Sequence, residues 1–75
     1  MNISSFNKLF SSCYYVWLLE KTKLTMPQID NIVDSELKEF HSHYTFVNVT
    51  PEEAVQLRLF YWHKLKTYPW DIQSG

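Results

Sequence analysis

Metal binding is the first chemistry the side chains suggest. His41 and His43 flank Ser42, so two imidazoles stand two residues apart, and His63 and Cys13 add a third imidazole and a thiol. Nitrogen and sulfur donors of this kind are what a tetrahedral zinc ion takes. The spacing argues against a site, because structural zinc is held by four ligands in close pairs and the second cysteine of such a module is missing. The expected roles are plainer: His41 meets the negative end of a helix and His43 begins the connector that follows it.

Other chemistries fail on composition. A phosphate cradle needs several glycines, and the chain has one, Gly75. Seven serines are spread along the chain, and none sits in the strand-to-helix elbow that exposes a nucleophile. A helical domain of 75 residues would also struggle to enclose a dry pocket. The chain is therefore expected not to be an enzyme and to carry no metal or cofactor.

Binding chemistry is better represented. Arg58, His63, Lys64 and Lys66 are interleaved with Tyr61, Trp62, Tyr68 and Trp70, and cations with aromatic faces can hold phosphates and stack on bases. Three features weigh against nucleic acid. Net charge is −1, the segment from Thr25 to Glu53 is acidic, and the link from His41 to Thr50 is far longer than the three- or four-residue turn of a helix-turn-helix. Aromatic and arginine residues gathered near a helix end are equally the composition of protein-binding hot spots. Arg58, Phe60, Lys64, Tyr68 and Trp70, with Lys66 beside them, are the expected contact residues. Another protein or a second copy is the first-ranked partner. A helix-turn-helix-like nucleic-acid binder ranks second, and a part of a larger assembly third.

Three helices must position these residues. In the second, Met26, Ile29, Val33, Leu37 and Phe40 recur at spacings of three and four and make one apolar stripe. Thr25 with Gln28 fits a capping box, and Pro27 falls in the first turn, where its missing N–H is harmless. Thr50, Pro51 and Glu53 repeat the pattern at the start of the third helix. On that helix Ala54, Val55, Leu57, Tyr61, Trp62 and Leu65 are expected to face the core. Arg58 breaks the apolar face and is expected to pair with Asp30, Asp34 or Glu39, and Phe60 breaks the polar one. Phe6, Leu9, Phe10, Cys13, Val16 and Trp17 give the first segment a helical stripe, and Tyr15, Leu18 and Leu19 opposite it suit a helix buried between several neighbours; the short apolar run "CYYVWLL" could equally be a strand.

The predicted architecture is a single all-α domain with helices at about 5–22, 26–41 and 51–67 and a short extended connector at about 44–50. A chain this short buries only about 60% of its unfolded surface, yet 45% of its residues are hydrophobic. That excess favours burial against a partner. A lone cysteine suits a reducing compartment, and the eleven uncharged residues from Leu9 to Leu19 are too few to span a bilayer. A cytoplasmic protein with no membrane partner is expected, although Asn2-Ile3-Ser4 and Asn48-Val49-Thr50 match the short glycosylation pattern.

Overall fold

A computed structural model describes residues 3–43 and 48–70. Its three helices are α1 (Ile3–Lys21), α2 (Met26–His43) and α3 (Pro51–Leu65), so the all-α class and the three expected elements are present with ends shifted by a few residues. Most of the predicted connector lies outside the described residues. Its last residue, Thr50, has an extended backbone (φ −75°, ψ 160°).

Both predicted caps form. The Thr25 N–H donates to Gln28 Oε1 at 2.9 Å, and the Gln28 N–H reaches Thr25 Oγ1 at 3.4 Å. At α3 the Glu53 N–H donates to Thr50 Oγ1 at 3.1 Å while the Thr50 N–H donates to Glu53 Oε1 at 3.0 Å. That backbone N–H holds the Glu53 carboxyl below the ordinary glutamate range. Each box satisfies backbone donors that a helix start leaves open.

The four residues between α1 and α2 permit only a tight reversal, so the two helices lie antiparallel. Thr22 closes α1 by donating its hydroxyl to the Leu18 carbonyl at 2.6 Å and accepting from the Leu24 N–H at 3.3 Å. At the far end the Phe6 and Phe10 rings meet Phe40, with centroids 5.7 and 5.8 Å apart. α1 packs along both other helices, whereas α2 and α3 meet over a much shorter stretch. Phe10, Tyr14 and Leu18, spaced by four on the doubly covered side of α1, are fully buried with Ile29, Ala54 and Val55.

Covering α1 on two sides moves its buried face from the predicted position. Leu9 and Val16, expected in the core stripe, are exposed, and Leu18, expected opposite, is buried. The strand alternative for this segment is also overturned, since residues 3–21 are continuous helix. No helix among the described residues is long and apolar enough to cross a membrane.

The chain beyond α3 supplies the last piece of the core. Lys66 adopts the left-handed conformation (φ 57°, ψ 32°), its N–H donates to the His63 carbonyl at 3.1 Å, and that of Thr67 donates to the Trp62 carbonyl at 3.4 Å. This reversal lays Trp70 back on α1, with its ring 5.7 Å from Trp17 and 6.4 Å from Tyr14. Trp70, predicted as a contact residue, is only 8% exposed. The helix ends at Leu65, four residues before Pro69, because the left-handed Lys66 turns the chain inward; the proline does not stop it as expected. Trp70→Ala should therefore destabilise the fold by about 3–5 kcal/mol, read as a drop in the urea midpoint. A change within about 0.5 kcal/mol would mean the ring is not part of the core.

Candidate functional site

Arg58 is the centre of the buried face of α3. Pro51, Ala54, Val55 and Arg58 are the buried residues of that helix, and Leu57, Tyr61 and Leu65, predicted to face inward, are exposed. The helix is turned so that its cation enters the interior and much of its apolar surface faces water. Burial is tolerable only if the charge is met.

Glu36 meets it. In α2 the buried residues Ile29, Val33, Glu36 and Phe40 are spaced by four, three and four, so the carboxylate occupies a core position of the stripe. Arg58 Nη2 donates to Glu36 Oε2 at 2.8 Å and Nε to Oε1 at 3.2 Å, a two-pronged pairing. The Tyr14 hydroxyl donates to Oε1 at 2.8 Å, and the indole Nε1–H of Trp62 donates to the same oxygen. The guanidinium carbon lies 4.8 Å from the Tyr61 ring centre and 5.5 Å from that of Trp62, so the aromatic faces also favour the cation. No buried side-chain nitrogen or oxygen among the described residues lacks a partner.

The predicted partners of Arg58 are engaged elsewhere or face away. Asp34 pairs with Lys38 at 3.2 Å and Glu39 with His43 at 3.2 Å, both exposed i, i+4 contacts. Asp30 is exposed about a quarter turn from the Ile29 face. The missed signal was an acid in the α2 stripe facing a base in the α3 stripe, two misfits of opposite sign.

Protonation follows from this packing. Burial pushes the Tyr14 hydroxyl well above the ordinary tyrosine value, and the neighbouring Glu36 charge adds to the effect. Desolvation pulls Arg58 down, but its hydrogen bonds to Glu36 and the opposite charge outweigh it and leave the guanidinium more firmly protonated. The cluster is a fully satisfied ion pair.

The other candidates separate. His41 sits 2.8 Å from Asn7 Oδ1, His43 lies on Glu39, and His63 contacts the Tyr68 hydroxyl at 3.1 Å. No group of three metal-ligating side chains forms among the described residues. Burial, with a smaller effect of Glu52, raises the Cys13 thiol, which leaves little thiolate for reaction.

Of the five predicted contact residues, Arg58 and Trp70 are interior and cannot be offered to a partner as expected. Tyr68 is half-buried, stacked on Trp70 at 5.1 Å. Phe60, 64% exposed, and Lys64 point outward. What sequence reasoning missed is the apolar company of Phe60. Leu57 lies one turn back on α3, and Leu9 and Val16 of α1 line the same shallow groove between the two helices, with Val49 and Gln56.

No protein-family model matches the chain, and no curated protein or solved structure matches it either.

Two measurements check the cluster. Arg58→Met strands the Glu36 carboxylate and should cost about 3–5 kcal/mol of unfolding free energy. Joint replacement of Glu36 and Arg58 by leucine should recover part of that loss, because no lone charge remains. Tyr14 gives a pH test. An unfolded tyrosine ionises near 10.0, whereas the folded chain retains this proton, so its contribution is intact below that pH and declines above it. The decline approaches about 1.4 kcal/mol per pH unit. The urea midpoint of the natural chain should fall more steeply above pH 10 than that of Tyr14→Phe; parallel curves would contradict the buried hydroxyl.

Proposed function

We propose that this chain is a non-enzymatic protein-interaction module, an adaptor, regulator or inhibitor, that presents the outward face of α3 and the adjoining rim of α1 to another protein or to a second copy of itself. The observation that carries the reading is the pairing of a saturated interior with Phe60 left 64% exposed beside Leu57, Leu9 and Val16. Isolated apolar residues on a surface are ordinary, but a cluster along one groove marks a contact site. Glu52 and Glu53 line it as acids, and Lys64, one turn on from Phe60 along α3, is exposed. The groove is open and lacks the enclosure of a small-molecule site, although Glu52, Glu53 and Gln56 stand in its lining.

The nucleic-acid reading loses support from the same geometry. Arg58 is consumed by Glu36, and Trp70 is spent in the core, which removes one phosphate ligand and one stacking platform from that reading. The lone thiol of Cys13 fits a reducing compartment, and the cytoplasm is the proposed location.

Phe60→Asp tests the reading. Because the side chain is exposed, the substitution should shift folding stability by no more than about 0.5 kcal/mol, checked by helical circular dichroism and urea unfolding. Binding should be lost: a protein captured by the natural chain from extract of its source cells should be absent with the variant. Equal capture by both, or equal self-association of both, would remove this face from the function.

A further inference from the structure

We infer that the occupant of this face is a second copy of the chain, paired antiparallel through α3 about a two-fold axis between Leu57 and Phe60. The inference rests on the interaction face proposed above and names what covers it.

Its basis is the order of residues on the outward stripe of α3. Glu53, Leu57, Phe60 and Lys64 recur at spacings of four, three and four, the seam of a helix pair. All four are exposed. The spacing reads the same in both directions, while the charge reverses: acid at one end, base at the other, two apolar residues between. Laid antiparallel on its own copy, the stripe puts Leu57 against Phe60 twice and Glu53 against Lys64 twice. A parallel in-register pairing would instead set Glu53 against Glu53 and Lys64 against Lys64. A two-fold contact requires a patch complementary to itself, and this stripe has that property in one orientation only. The antiparallel pairing also opposes the two helix dipoles.

The axis leaves the α1 helices of both copies on the same flank of the seam, where Val16 extends the apolar strip. Two helices side by side, each roughly 10 Å across and the shorter about 22 Å long, offer on the order of 450 Å² per copy. The total, roughly 900 Å², falls below the about 1,200 Å² of stable specific interfaces and in the range of weak, transient ones. A weak, reversible dimer is the consequence, populated at micromolar to millimolar chain concentration.

Sedimentation equilibrium of the full chain over that range, with charge-exchanged variants, tests the inference. The natural chain should approach twice its monomer mass as concentration rises. Lys64→Glu and Glu53→Lys should each weaken self-association about tenfold or more, since each opposes like charges at both ends. An equimolar mixture of the two should recover the natural affinity, because the mixed dimer restores both attractive pairs. Glu53→Lys retains the Thr50 hydroxyl cap, and urea unfolding checks its fold. Should it unfold, salt replaces it: added salt should loosen the natural dimer and tighten that of Lys64→Glu. A chain monomeric at millimolar concentration, or a dimer indifferent to these charges, overturns the inference. If that monomer still captures another protein through Phe60, the proposed interaction face stands with a different occupant. If Phe60→Asp also changes nothing, both fall.

Discussion

One carboxylate joins the second helix to the third. Glu36 Oε1 and Oε2 together receive the Tyr14 hydroxyl from α1 and the Arg58 guanidinium and Trp62 indole from α3. α2 and α3 have little other contact, so this ion pair is the joint between them. Desolvating two charges gives back much of the Coulomb energy they gain, and such pairs contribute less to net stability than their geometry suggests. What they do impose is a rotational setting. Turning α3 by even one residue would strand an ion in the interior.

That setting decides which apolar residues are left outside. With Arg58 fixed inward, Ala54 and Val55 follow it into the core, and Phe60 is carried to the far side of the helix. The interior is closed by rings drawn from distant parts of the chain, with Phe10, Tyr14, Phe40 and Trp70 all buried. A domain of this size has too little volume to hide the remainder. The exposed face of α3 is therefore a result of how its buried face is pinned, and the same charge pair governs both.

Local signals in the sequence were the legible ones. Both capping boxes, the proline in each first turn and the α2 stripe could be read directly, because they depend on neighbours within one helical turn. The orientation of α3 could not be read in this way. An apolar helix has several candidate buried faces, and the choice among them depends on Glu36, 22 residues away in the chain. Leaving Glu36 out of the acids considered for Arg58 hid the one feature that would have oriented α3. Trp70 failed for a related reason: proline announces the end of a helix, but the direction of the chain afterwards depends on the Lys66 reversal and on space left over α1.

The shared carboxylate also constrains how the chain reaches its native state. A hairpin of α1 and α2 alone would have the Tyr14–Glu36 hydrogen bond but no cation, and its carboxylate would still face the space that Arg58 and Trp62 fill. The charge stays favourable in water until α3 arrives. A two-helix hairpin thus lacks the ion pair that joins α2 to α3. The ion pair is complete only when all three helices are docked, which ties it to the whole fold as expected of a small two-state domain.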